Sequence, residues 1–379
     1  MDKYGDQTLK RLGVRPLINC KGTYTVIGGS LMLPEVKQAM MDASRNFVVL
    51  DELMDAVGRR LAELTGTEAG IVTSGCAAAL ALGTMACLTG SDDAKISRLP
   101  DASFQREVII PRHSRMEYEP LVRMAGVRIV DVASRADLEA ALQGRAAMVL
   151  VMSNPAAADG PLGIGEICRA AALHGVPVLV DAAAERLTVP NIHVARGAAL
   201  VAYSGGKILR GPQSAGLLLG RKNLIQAAWR NSSPHDALGR GFKCGKEEIL
   251  GMLAAVEAWF ERDHDSEWRQ WEAWLDTIAH EVRRTAGIST EVLLPADLSN
   301  HSPRLRIFWD AAALGFTGHA LAAALWHGEP RVALNAAAEG SITVMPYMLS
   351  DGEEKMAAAA ITRAFAAIPR KAPAPHRAP

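Results

Sequence analysis

The sequence predicts an α/β fold: a large domain with a mostly parallel, buried sheet, followed by a smaller α+β domain. Three observations predict it. Short apolar runs rich in Val, Ile and Leu recur between about residues 50 and 225, each too short for a helix and each ending at a polar or turn residue. Ala-rich helical stretches alternate with them, as parallel strands require of their crossovers. Beyond residue 245 the alternation stops, and long helical segments give way to isolated strands.

The strand-like runs are EVIIP (107–111), VRIVDV (127–132), AAMVLVM (146–152), VPVLVDA (176–182), ALVAYS (199–204) and AGLLLG (215–220). AGLLLG follows its predecessor too closely for a crossover, so it is free to pair antiparallel with it. DELMDAVGRRLAEL and CAAALALGTMACL read as helices. Residues 246–284 form a long helical region with a bend that leads away from the first domain. After it, RLRIFWD and SITVMP read as strands, FTGHALAAALWHG as a helix ending at Gly328, and DGEEKMAAAAITRAFAAI as a last helix. The stretch VRPLINCKGTYTVIGGS is irregular and Gly-rich, and reads as the lining of a site or a partner surface more than as core. These readings give an N-terminal segment (1–45) that joins the small domain and the active site, a large domain (46–260), a small domain (261–370) and a disordered Pro/Ala-rich tail (371–379).

Composition excludes several classes. The chain has 379 residues, enough for two domains, with 41 basic and 41 acidic side chains. That balance argues against nucleic acid as the main partner, which would need a basic face. Five widely spaced cysteines fit neither a disulfide framework nor a metal-ligand pattern. The N-terminus lacks an apolar signal core, and no run reaches the ~18–20 apolar residues of a membrane span, so the expected location is the cytoplasm.

Three short stretches carry chemistry. TSGCAAAL (73–80) joins the strand-like GIVT to a helix; its small residues make either a tight turn or a cradle where backbone N–H groups meet an anion. Asp181 ends the run VPVLVDA, at the strand end where open α/β sheets bind ligands, so it is either a ligand contact or a helix cap. Lys207, in YSGGKILRGPQSAG, follows the next strand after a gap of 26 residues, which fits one further βα unit. A lysine amine in such a place is suited to form a Schiff base. Anion cradle, carboxylate and amine, in that order, are what pyridoxal phosphate requires for its phosphate, ring nitrogen and aldehyde. The glycines beside Lys207 then read as room left for the cofactor. A P-loop or dinucleotide-binding reading fails, because neither GxxxxGK[ST] nor GxGxxG is present.

The order and the local sequences resemble fold-type-I pyridoxal-phosphate enzymes. They resemble most closely the selenocysteine-synthase-like group that includes the ammonia-lyase acting on phosphorylated D-glucosaminate. The matching stretches are LGVRPLINCKGTYTVIGGS, ELTGTEAGIVTSGCAAALAL, HGVPVLVDAAAE, YSGGKILRGPQSAGLLLGRK and GRGFKCGKEEILGMLAAVE, over most of residues 10–260. The C-terminal third matches more loosely, through GEPRVAL and GSITVMP. The resemblance implies that Lys207 holds the cofactor and moves the α-proton, and that Asp181 keeps the pyridine nitrogen protonated. It implies phosphate contacts from Ser74, Gly75, Cys76 and Ser204, and stacking of His113 on the ring. For the substrate carboxylate it points to an arginine, with Arg331 ahead of Arg306 and Arg45. Thr23, Tyr24 and Gln213 are further candidates facing the substrate. Cys76 stands where relatives commonly carry alanine, and Cys20-Lys21 where they carry small residues; these departures bear on substrate, not cofactor.

The reaction the resemblance implies is α-proton abstraction and β-elimination from a small amino acid, releasing ammonia and a 2-oxo acid. Aldolase, racemase and aminotransferase chemistry use the same Lys–Asp pair and stay open, as does an RNA-directed selenocysteine-synthase-like transferase, against which the neutral charge speaks. The resemblance also implies a homodimer or higher homo-oligomer with shared active sites.

Overall fold

The computed structural model describes residues 7–101, 106–337 and 339–368, so the expected disordered tail lies outside the described residues. The chain forms two compact units. The larger comprises Gly28–Arg262 and Ala296–His301; the smaller comprises Met1–Ile27, Asp263–Pro295 and Ser302–Pro379.

The smaller unit's first strand is β1 (Ile18–Cys20). The larger unit holds a seven-stranded sheet of β2 (Ala69–Thr73), β3 (Glu107–Pro111), β4 (Arg128–Val132), β5 (Ala146–Met152), β6 (Val178–Asp181), β7 (Leu200–Ser204) and β8 (Gly216–Gly220). The strand order is β2-β8-β7-β6-β5-β3-β4. Every expected run forms a strand. β8 pairs antiparallel with both β7 and β2, while β7, β6, β5, β3 and β4 pair parallel in succession. β8 therefore runs alone against the rest, and the carboxyl ends of the other six strands share one edge. The central strands β6, β7 and β8 are buried almost throughout, which explains why they read as unbroken apolar runs.

One helix fixes how that edge is used. Cys76–Thr89 follows directly from β2, and nearly all of its residues are buried. Its small side chains let it lie close on the sheet: a Cβ on Gly83 would meet Leu179 Cδ1 at 2.4 Å. The helix is apolar around its whole circumference because it has no solvent face.

Residues 28–45 belong to the larger unit, whereas the sequence places them with the small domain. The reason is a single helix, Pro34–Ser44, which packs on the helix Lys246–Glu261. Met40 occupies the space beside Gly251, where a Cβ would lie 2.7 Å from its Cγ. The long helical region of the sequence divides at Arg262 and Asp263, as the expected bend requires. Asp263 starts the second helix, His264–Val282, by accepting a hydrogen bond from Ser266 N at 2.9 Å.

The smaller unit is α+β. Its sheet combines β1 with β9 (Ser289–Leu293), β10 (Arg304–Phe308), β11 (Val332–Ala337) and β12 (Ser341–Val344), in the order β1-β11-β12-β10-β9. β1 runs parallel to β11 and the other pairs are antiparallel. Trp309, Phe316 and Phe365 cluster in its core, with centroid separations from 5.1 to 6.0 Å. The sequence reading of 14–30 as site lining misses that Ile18 and Cys20 are fully buried in this core. Three residues are too few to show a period. Among the described residues no helix is long and apolar enough to cross a membrane.

Candidate active site

The sheet topology brings the three singled-out stretches to one edge. From β2 to β6 is three strand spacings, roughly 14 Å. Within that width lie the turn Ser74–Gly75 after β2, the start of β8 at Gly216, Ser204 at the end of β7, and Asp181 at the end of β6. Lys207 follows Ser204 by three residues.

The turn after β2 depends on Gly75, which has φ of 87° and N-caps the Cys76–Thr89 helix without a side-chain cap. The space beside it is open: a Cβ there would meet nothing within 4 Å. Among the described residues the N–H groups of Cys76, Ala77 and Ala78 have no backbone or side-chain acceptor. Three orphan donors at the positive end of a helix dipole form an anion site. The Ser74 and Ser204 side chains are half-buried and likewise carry no hydrogen bond to the described residues.

The carboxylate of Asp181 is buried, with 6% of the residue exposed. Its Oδ1 accepts from Ala183 N at 3.0 Å and lies 3.5 Å from the Cys76 thiol. Among the described residues Oδ2 has no hydrogen-bond partner. Burial pushes the carboxyl's pKa up, while the Ala183 N–H, the positive charge of Lys207 and the thiol pull it down. A cationic N–H placed at Oδ2 would complete its pairing.

Behind Asp181 lies a second buried carboxylate that the sequence reading leaves unassigned. Glu185 accepts from Ser153 Oγ, and its Oε2 sits 2.7 Å from His193 Nε2, both side chains being almost fully buried. The signal was available in DAAAE, four residues beyond Asp181. The turn holds further: Asn191 caps the short helix after it and donates to Tyr203 Oη at 2.8 Å.

Lys207 is half-buried and, among the described residues, forms no ion pair or hydrogen bond through its amine. Its flanking glycines have a packing cause. A Cβ on Gly205 would come within 2.5 Å of Met252 Sδ, and one on Gly206 within 2.6 Å of Gln213 Cα. The space that the sequence reading leaves for a cofactor is filled by the protein's own segment 212–215. Gly216 was also missed. A Cβ there would lie 2.5 Å from Gly75 C and 2.6 Å from Cys76 N, so this glycine lets β8 start directly against the anion turn.

His113 lies in the 3-10 turn after β3, half-buried. Its Nε2 is 3.2 Å from Leu162 O and its Nδ1 is 3.0 Å from Ser114 Oγ. Since a carbonyl only accepts, Nε2 carries the hydrogen and Nδ1 accepts from the serine. Arg45 is exposed and pairs with Asp42 at 3.4 Å. Gln213 is exposed, with its chain against Gly206 and Gly29. The remaining substrate candidates lie in the smaller unit. Thr23 is buried and bonds Tyr347 Oη through both N and Oγ1 at 3.2 Å. Tyr24 is half exposed beneath Lys21 Nζ, 5.0 Å from the ring centroid. Arg331 stacks on Trp326 at 5.0 Å and donates to Trp326 O, and Arg306 lies over Phe308 and pairs with Glu291.

The seven-stranded sheet has the fold of fold-type-I pyridoxal-phosphate enzymes, and the turn after β2, buried Asp181 and Lys207 gather at the carboxyl-end edge of β2, β6 and β7. Known proteins agree. The family model for SelA, L-seryl-tRNA selenium transferase, matches residues 178–297. The chain is 31% identical to D-glucosaminate-6-phosphate ammonia lyase of Salmonella typhimurium, over 91% of this chain and 94% of that protein. It is also 31% identical to 5'-C-glycyluridine monooxygenase-decarboxylase of a Streptomyces species, over 93% and 91%. A solved D-glucosaminate-6-phosphate ammonia-lyase superimposes with a TM-score of 0.83 at 27% identity, covering 96% of this chain and 99% of that one. The chain belongs to this selenocysteine-synthase-like family. It is a pyridoxal-phosphate-dependent enzyme, and the lyase activity expected from the sequence is that of the first of these relatives.

The residues present fit the cofactor. The open space at Gly75 and the orphan N–H groups suit its phosphate, the unpartnered Oδ2 of buried Asp181 suits its ring nitrogen, and the unpaired amine of Lys207 suits its aldehyde. Gly216→Ala should drive a methyl group into the anion turn and weaken pyridoxal-phosphate binding by about tenfold or more, given the ~1–3 kcal/mol typical of overpacking. Absorbance titration of the apoprotein checks this, and wild-type affinity in the variant would contradict the assigned cradle.

Proposed function

We propose that this chain catalyses β-elimination from a small β-substituted amino acid, releasing ammonia and a 2-oxo acid, with its active centre at the β2–β6 edge of the larger unit. The observation that carries the reading is the convergence of orphan polar groups there: the helix N–H groups, the Ser74 and Ser204 hydroxyls, Asp181 Oδ2 and the Lys207 amine. Buried or half-buried groups of this kind need partners. One ligand with a phosphate, a basic ring nitrogen and an aldehyde supplies all of them.

When bound, the cofactor supplies an electron sink for a carbanion at the substrate's α-carbon. The protein's residues then divide the work. The N–H groups of residues 76–78, with Ser74 and Ser204, bind the phosphate. Asp181 holds a proton on the ring nitrogen through Oδ2, and its own burial makes that ion pair strong. His113, its ring fixed by Leu162 O and Ser114, offers a flat face for stacking. Lys207 would hold the cofactor through its amine and would be the base that takes the α-proton. Its lack of an ion-pair partner leaves the amine free to move between these tasks.

The proposed substrate class follows the relative named D-glucosaminate-6-phosphate ammonia lyase: an acidic, β-hydroxylated amino acid, of which a phosphorylated amino-sugar acid is one example. Arg331, Arg45, Thr23, Tyr24 and Gln213 are the residues that the resemblance implies as substrate contacts; of these, Arg45 and Gln213 belong to the larger unit. We propose a homodimer as well. Support comes from apolar side chains that the larger unit leaves exposed, among them Leu31, Met41, Phe47 and Val49. Sedimentation of the holoenzyme should give a dimer or larger; a monomer would contradict this.

A panel of D- and L-amino acids, assayed with pyridoxal phosphate for ammonia and 2-oxo acid, tests the reaction. Elimination yields both without an amino acceptor. Product formation only when an acceptor is added would replace this reading with transamination, and inverted amino acid with neither product would replace it with racemisation.

A further inference from the structure

We propose that Cys76 is a positioning residue for the cofactor: its thiol, acting with the Ala183 N–H, saturates Oδ1 of Asp181 and so turns Oδ2 toward the ring nitrogen. The inference rests on the pyridoxal-phosphate reading above and assigns Cys76 a side-chain role separate from any phosphate contact made by its backbone.

The geometry is specific. Cys76 is the first residue of the helix that leaves the anion turn, and its backbone N is packed against the position of Gly216. From there the side chain crosses toward β6, and Sγ lies 3.5 Å from Asp181 Oδ1, within hydrogen-bond range for sulfur. The residue is 7% exposed, so water does not compete for the contact. The thiol stays protonated. A helix N-terminus by itself favours a thiolate, but burial and the charge of Asp181 push the pKa of Cys76 well above its ordinary value. The S–H is therefore a donor and Oδ1 its acceptor.

A carboxylate with both oxygens free can rotate and offer either. Here Oδ1 is held from two directions, by Ala183 N at 3.0 Å and by the thiol, while Oδ2 of the same buried group has no hydrogen-bond partner among the described residues. One residue thus ties the phosphate end of the site to the ring-nitrogen end. An alanine at this position would keep the N–H for the phosphate and lose the donor to Asp181.

The test separates donor from filler. Full-length wild type, Cys76→Ala and Cys76→Ser are titrated with pyridoxal phosphate, and the bound cofactor's absorbance band and the kcat and KM for the best amino acid of the panel are recorded. Loss of one weak donor to a charged group predicts about threefold to tenfold weaker cofactor binding for Cys76→Ala, with a shifted band and a lower kcat at unchanged KM. Cys76→Ser, which restores a hydroxyl donor, should return affinity and band to within about twofold of wild type. If Cys76→Ala does not fold, Cys76→Val, larger by about one methyl group, serves as the donor-free variant, and Cys76→Thr, equally branched but with a hydroxyl donor, is its control. Donor-free variants that match wild type, or a serine variant no better than alanine, would overturn the proposal. A wild type that binds no cofactor would instead overturn the reading beneath it.

Discussion

A buried carboxylate costs several kcal/mol unless its oxygens meet donors or a cation, and Asp181 imposes that constraint on this molecule. It sits at the end of β6, in the middle of the sheet and nearly sealed from solvent. The protein satisfies one of its oxygens with Ala183 and Cys76 and leaves the other unmet. Much of the surrounding construction follows. The Cys76–Thr89 helix must come close to the sheet, so it carries Gly83 where Leu179 packs against it. Its N-terminus must stand beside β8, so β8 begins with glycine. The segment after β7 must turn tightly enough to bring Lys207 back to the same edge, so Gly205 and Gly206 pack without side chains against Met252 and Gln213. Even the contact between the helix start and Asp181 depends on these small residues.

The parts of this arrangement that are legible in the sequence are those with a period or a sharp ending. The strands EVIIP, AAMVLVM, VPVLVDA, ALVAYS and AGLLLG stand out because both faces are covered, and Asp181 and Ser204, the last residues of β6 and β7, mark the edge where a ligand belongs. The antiparallel β8 is readable from the short connection after Lys207. The trio TSGC, Asp181 and Lys207 is readable from chain order alone. What sequence reading misses depends on contacts across distant segments. β1 is three residues long and has no pattern of its own, yet it completes a sheet by pairing with β11. The helix Pro34–Ser44 gives no sign of whether it docks on Lys246–Glu261 or elsewhere. Glu185 looks like a solvated charge until Ser153 and His193, from 32 and 8 residues away, close around it.

Glycine use near Lys207 shows why local reading misattributes cause. Small residues beside a reactive lysine suggest space for a ligand. The structure gives that space to residues 212–215, and the open volume lies instead at Gly75, two strands away. Both interpretations predict glycine; only the positions of the neighbouring atoms tell them apart. The same logic applies to the arginines. Arg331 and Arg306 each rest on an aromatic ring within the smaller unit, so a substrate carboxylate that recruits either would draw it from that stacking.

The most direct measurement of the central claim is chemical. Holoenzyme reduced with borohydride, digested and mapped by mass spectrometry should carry a pyridoxyl phosphate on one peptide, the one containing Lys207. Label spread over several surface lysines, or its absence from the Lys207 peptide after saturation with pyridoxal phosphate, would contradict the account.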